Sequence, residues 1–329
     1  MNAVTAARDS NPALAIMFIV LAMACISIND MLIKLLSGDY PLHQMVFLRS
    51  AIGIVFSLLI LKVEGGFGLL RTSQIWLHLL RGLCIVGANM AFFAAIAVMP
   101  LADATALFFV APLFITILAI PFLGERVGAR RLGAVVFGFF GVLVMLRPGA
   151  VAAESTQDWR ILLLPIVAAF GYACMQILTR RLGVASKASA MAIYLQGTFI
   201  AVSLIFWAVA GDGRFAEGLE NKSAIFLLRA WTWPAEEDWP TFLLLGAMAA
   251  VVGYALSQAY RLADAATVAP FEYTALPLSI FWGLVMFGHF PDHWVLAGIA
   301  MIAVAGVYVF MREKRTSRTI AGARPLRRV

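Results

Sequence analysis

A chain of 329 residues that is 62% hydrophobic and only 13% charged is not an ordinary soluble domain, because it holds more apolar surface than a polar shell of that size could enclose. The net charge of +7 does not indicate a nucleic-acid surface: the bases sit mostly between apolar runs, and seven of them follow Phe310, where they read as a cytoplasmic anchor facing anionic lipid. Cys25, Cys84 and Cys174 lie inside apolar runs with neither disulfide nor metal-ligand spacing, so they read as small buried residues.

Ten apolar segments are long enough to cross a bilayer: 13–36, 42–61, 75–99, 102–123, 132–146, 161–179, 188–210, 241–260, 265–287 and 294–311. The first is too long for a signal peptide and has no small-residue cleavage pattern, so it reads as a retained span. It carries Asn29 and Asp30, with Lys34 one turn later, and the second span carries Arg49. Asp30 and Arg49 both fall about 10 Å below the same surface, on helices joined by a five-residue loop, so they can meet. Two readings stay open for them: mutual neutralisation that fixes helix register, or substrate binding. Arg81 opens the third span, where snorkelling is expected. Asp103 and Asp264, in matching Ala-Asp-Ala turns, are expected to cap the helices that follow.

From Pro100 to Pro148 the chain reads as a helical hairpin whose turn holds Glu125 and Arg126, with Pro112 and Pro121 as bends in its first arm. A weaker copy begins at Leu262. At an offset of 165, Pro112 falls on Pro277, Gly133 on Gly298, Gly141 on Gly306 and Arg147 on Arg312. Nearer the front, at an offset of 146 or 147, Asp30 falls on Gln176 and Arg49 on Gln196, so the partner positions stay polar. The growth in offset places an insertion at 211–240. Within it, 223–233 is too short to span and ends in two Trp residues, so it is expected to lie in the interface, either as a loop resting on headgroups or as a lid. Glu272, beside Tyr273 and between the bends Pro270 and Pro277 of the ninth span, is a proton-carrier or cation-site candidate, or else a helix-to-helix hydrogen bond.

With the N-terminus inside, seventeen bases fall in cytoplasmic segments and five in outer ones, which puts both ends in the cytoplasm. Five spans per half then make the two halves inverted repeats: an N-terminal segment 1–12, a first repeat 13–147, an outer linker 148–160, a second repeat 161–311 and a basic tail 312–329.

The runs 102–106, 111–114 and 123–126 with Gly133 and Gly141 resemble the end of the repeat unit of the drug/metabolite transporter superfamily, EamA type. The second copy departs from that pattern, with Gly288-His289 where a Gly-Glu pair is expected, so the Glu is carried over at Glu125 alone. The resemblance implies an all-α integral membrane protein of ten helices in two inverted five-helix repeats, moving a small organic metabolite across the bacterial inner membrane by alternating access, either proton-coupled or by exchange. The runs 27–34 and 47–49 look like members proposed to take up S-adenosylmethionine or riboflavin. Export of amino acids or drugs by the same fold is the alternative. The expected partners are a small-molecule substrate and the lipid bilayer, with a homodimer admitted and no nucleic acid. No cofactor or metal is expected.

No spacing gives a hydrolytic triad, and without a phosphate-binding Gly-rich run there is no ATP-driven pump in this chain. His43, His78, His289 and His293 fall near span ends, which argues against the remaining alternative, an intramembrane lipid-acting enzyme. The candidate site is therefore Asn29, Asp30, Lys34, Arg49, Gln176, Gln196, Glu272 and Tyr273.

Overall fold

The computed structural model describes residues 12–123, 128–146, 159–182, 186–262 and 268–322. Among them there are twelve α-helices and no strands: α1 (Pro12–Leu36), α2 (Leu42–Glu64), α3 (Ile75–Ile96), α4 (Leu101–Phe108), α5 (Ala111–Leu123), α6 (Ala129–Leu146), α7 (Trp159–Leu182), α8 (Ala188–Ala210), α9 (Lys222–Leu228), α10 (Trp239–Leu262), α11 (Ala275–Phe287) and α12 (His293–Gly322). Seven helical stretches are long and apolar enough to cross a membrane, and three shorter apolar helices accompany them. Large apolar side chains such as Met17, Val63 and Trp76 point outward, as suits a surface solvated by lipid.

The helix ends follow local chemistry. α2 stops at Gly65-Gly66, which takes φ values of 149° and 81° that only glycine adopts cheaply. α11 stops at Gly288 in the left-handed region, with His289 N–H bonded back to the Gly283 carbonyl at 2.9 Å. Pro112 has no N–H to give the Phe108 carbonyl, and the expected fourth span is interrupted at 109–110 into α4 and α5. The expected ninth span breaks in the same way, into a 3₁₀ segment at Ala269–Thr274 and then α11. These two breaks lie at equivalent places under the offset of 165. Pro270 opens the 3₁₀ segment. Pro277 lies in the first turn of α11, where a missing N–H costs little, and α5 continues through Pro121 without interruption.

The main helix pairs are α1 with α10, α3 with α7, α2 with α8, and α6 with α12. Exchanging the two halves of the chain leaves this scheme unchanged, because the first helix of each half packs on the third of the other, the second on the second and the last on the last. Two boundaries need correction. α12 continues to Gly322, so the first part of the basic tail extends the last helix. The cap position of α4 is Pro100, and Asp103 stands in the first turn, where a negative charge still complements the free amides. Asp264, Glu125 and Arg126 lie outside the described residues, as does most of the linker at 148–160.

Candidate functional site

The corner at 37–41 reverses the chain between α1 and α2, so side chains about two turns below it face each other. There Arg49 Nη1 donates to Asn29 Oδ1 at 3.3 Å and Nη2 donates to Asn89 Oδ1 on α3 at 3.5 Å. The Asn29 amide in turn donates to Asp30 Oδ1 at 3.1 Å. The Arg49 guanidinium lies over the ring of Phe199 at 5.2 Å and that of Phe93 at 5.9 Å. Arg49 and Asp30 thus belong to one network, but their link runs through Asn29.

Lys34 is not part of that network. Its ammonium donates to the carbonyls of Ile96 and Met99, the latter at 2.8 Å, and sits 5.3 Å from the ring centre of Phe287. One turn beyond Asp30, Lys34 has reached the level where α3 ends and its last carbonyls have no helical partner. A cation there fastens α1 to the end of α3.

In the second half, Glu272 is 4% exposed and accepts from the hydroxyl of Tyr172 at 3.3 Å and from that of Tyr260. Gln176 donates to the Tyr172 oxygen at 2.6 Å, so α7 presents a Gln-Tyr pair to Glu272 on the 3₁₀ segment. Tyr273 does not join them. A 3₁₀ turn sets neighbouring residues about 120° apart, and the Tyr273 ring packs 5.3 Å from that of Phe109. Gln196 on α8 donates to Ser57 Oγ on α2 at 2.8 Å and crosses α2 at Gly53, where an added Cβ would fall 2.7 Å from its oxygen.

These groups surround a cavity of about 190 Å³ in the centre of the bundle. Asn29, Asp30, Arg49, Gln196 and Glu272 line it, whereas Lys34, Gln176 and Tyr273 do not, Gln176 standing one hydrogen bond behind Tyr172. Both halves contribute to its wall, and Phe92, Phe93, Phe108 and Phe199 supply flat apolar surface. Among the described residues no three His, Cys, Asp or Glu side chains stand close enough to share a metal ion.

Two lining residues were missed or misread. Asn89 had a signal in the sequence, a polar amide in the middle of the third span, but carries no charge to draw notice. Arg81 does not snorkel. It is 4% exposed, donates from Nε to Thr179 Oγ1 at 2.7 Å and from Nη1 to the Met191 carbonyl at 3.2 Å, and lines the cavity.

The insertion at 211–240 packs on the bundle through its middle and end, while Phe215 and Trp233 stay exposed. Asn221 caps α9 by accepting from Ala224 N at 3.1 Å, and Phe226 is 1% exposed within the main core. Ser223 donates to the Ala94 carbonyl at 2.7 Å, and Tyr40 both donates to Asp238 at 2.6 Å and accepts from Ala235 N at 2.9 Å. Gln44 brackets the Thr232 backbone, accepting its N–H at 3.1 Å, and His43 meets the Leu227 carbonyl at 3.0 Å. The segment is a cap seated on the α1–α2 corner and the end of α3. At the opposite end of the bundle, Glu64 on α2 pairs with Arg261 on α10 at 3.5 Å and accepts from Ser189 N at 3.1 Å.

The EamA-like transporter family matches residues 13–147. A riboflavin transporter of Vibrio cholerae serotype O1 is 30% identical over 84% of this chain and 86% of its own length. An S-adenosylmethionine uptake transporter of Rickettsia prowazekii is 26% identical over 92% and 94%. One solved crystal structure of a protein superposes over 92% of this chain and 99% of its own with a TM-score of 0.64 at 17% identity, a likeness of fold alone.

Proposed function

This chain belongs to the EamA-like transporter family and is a small-metabolite transporter of that type, and we propose that it works as a secondary uptake carrier by alternating access. The observation that carries this reading is the central cavity. It lies between the halves of a multi-pass membrane protein, it is walled by both, and most of the costly polar groups of the spans face it. A solute held there sits between two bodies that can rock against each other.

In this reading ten helices cross the bacterial inner membrane as inverted repeats over 13–147 and 161–311, with both termini in the cytoplasm. The pairing scheme that survives exchange of the halves supports it, as do the matched breaks and the distribution of bases. Asn29, Asp30, Arg49 and Gln196 bind the substrate, Glu272 with Tyr172 and Gln176 couples transport to a second ion or to exchange, and Lys34 and Tyr273 hold helices in place. The relatives named above direct the search to riboflavin and S-adenosylmethionine.

The test is uptake and efflux by proteoliposomes holding the full chain, across a metabolite panel that includes both compounds, with and without a proton gradient. Accumulation or counterflow of at least one member is expected. Permeation without saturation for every member would refute the proposal.

A further inference from the structure

Among the described residues, Arg81 is a cavity-lining cation that no neighbouring charge neutralises. Arg49 has Asp30 one amide away and two ring faces against its guanidinium. Arg81 is as deeply buried, and both of its partners, the Thr179 hydroxyl and the Met191 carbonyl, are neutral. Those bonds use two of the five N–H groups of a guanidinium, and among the described residues no carboxylate pairs with it. Taking an ion out of water without a counter-charge is costly unless another group restores the lost interactions, and the side chain borders a space in which such a group could arrive.

We infer that Arg81 anchors a carboxylate group carried by the transported metabolite. The inference rests on the reading of the cavity as the substrate site and adds the chemistry of the solute. Of the two compounds to which the relatives direct attention, it favours the one with an amino-acid head over the one with none. A planar guanidinium with free terminal donors suits a carboxylate, which accepts two parallel N–H bonds. Thr179 and Met191, on α7 and α8, fix its plane, so the second half positions a reader supplied by the first.

The first measurement is thermal unfolding of the purified full-length protein in detergent, titrated with sodium acetate and, separately, with sodium chloride. Acetate is expected to raise the midpoint of the wild type and not that of Arg81→Gln, while chloride acts alike on both. Without added anion Arg81→Gln should be no less stable than the wild type, since it removes a buried charge that has no counter-charge and keeps an amide able to donate to Thr179 or Met191. Should that variant fail to fold, Arg81→Lys keeps the charge and loses the fork, and its response to acetate should be at least threefold weaker. The second measurement is inhibition by S-adenosylmethionine and by its decarboxylated analogue. The half-inhibitory concentration of the first should rise about tenfold or more in Arg81→Gln, that of the second less than about twofold.

Equal responses to acetate and chloride in the wild type would mark a site for free inorganic anions and overturn the assignment to a substrate carboxylate. An equal acetate response in the wild type and Arg81→Gln would overturn the site itself. The acetate comparison needs no transport, so a failure of the Arg81 site and a failure of the carrier reading would show in different measurements.

Discussion

Replacing Arg49 by Ala should abolish transport while leaving the amount of folded protein in the membrane close to normal. The change removes two long hydrogen bonds, at 3.3 and 3.5 Å, and the attraction of two ring faces, terms worth about 0.5–1 kcal/mol each. Against that loss, the guanidinium no longer has to be buried, which recovers a large part of a desolvation cost of several kcal/mol. Asp30 keeps its bond to Asn29 at 3.1 Å and borders a cavity that the shortened side chain enlarges, so water can reach it. The net destabilisation should therefore be about 1–2 kcal/mol, below the 3–5 kcal/mol typical of breaking a sealed pair. The double variant Asp30→Asn with Arg49→Gln, which leaves no buried charge, should unfold within about 1 kcal/mol of the wild type and still fail to transport. Thermal unfolding in detergent gives the stabilities, and uptake normalised to inserted protein gives the activity. If Arg49→Ala lowers the amount of protein while the surviving molecules transport at the wild-type rate, Arg49 is a helix fastener and the binding role fails.

Glu272→Gln should abolish accumulation driven by a pH gradient and leave substrate counterflow largely intact, because the amide keeps the shape but neither takes up nor releases a proton; unchanged gradient-driven accumulation would return Glu272 to an ordinary helix contact. Tyr40→Phe combined with Gln44→Ala removes the hydroxyl that bridges Asp238 and Ala235 and the amide that brackets Thr232, so proteolytic cleavage within 211–240 should quicken about tenfold, for a loss near 1.4 kcal/mol in local opening. A cleavage rate equal to that of the wild type would mean that the cap is held by Phe226 and its apolar neighbours instead. Gly82→Ala puts a methyl group onto the Thr198 side chain of α8 and should cost about 1–3 kcal/mol, part of which Thr198→Ala should recover; a neutral Gly82→Ala would mean that α3 and α8 separate easily. Reporters fused after Arg8 and after Val329 should both prove cytoplasmic, and a periplasmic signal at either end would dismantle the inverted-repeat reading.

What the sequence made legible was whatever one helix states by itself. The length of an apolar run, a proline within it and an ionisable residue at mid-depth each have a local cost that lipid does not forgive, so the apolar helices, the break ahead of Pro112 and the meeting of Asp30 and Arg49 in one network could be read directly, whereas Pro121 leaves its helix unbroken. What it left hidden was direction. Lys34 and Asp30 are one turn apart, and nothing in their spacing says that the lysine is needed by the open carbonyls of α3. Arg81 near a span end looks the same whether it reaches for water or for Thr179 and Met191, because those acceptors belong to helices nearly a hundred residues away or more. Tyr273 stood beside Glu272 in the chain and left it in space because successive residues of any helical turn point about 100–120° apart. The seating of the cap was hidden for a similar reason: two Trp residues and a short amphipathic run say nothing of which protein surface receives Phe226.

The two halves are equivalent in helix pairing but not in charge. At the offset that pairs Asp30 with Gln176 and Arg49 with Gln196, the first half presents charges and the second presents amides, and each amide takes a hydroxyl partner, Tyr172 or Ser57, instead of a charged one. At the offset of 165, Glu272 corresponds to Leu107, a buried core residue. Charge was therefore retained or acquired unequally: the Asp30–Arg49 network and Arg81 stand on α1 to α3, while the carboxyl held by tyrosines stands on the broken ninth span. Two inverted repeats of identical polarity would present the same field when the cavity opened to either side. On the proposed alternating-access reading, rocking one half against the other would then change which ionisable groups meet water on each side, and a coupling ion or counter-substrate would supply the drive.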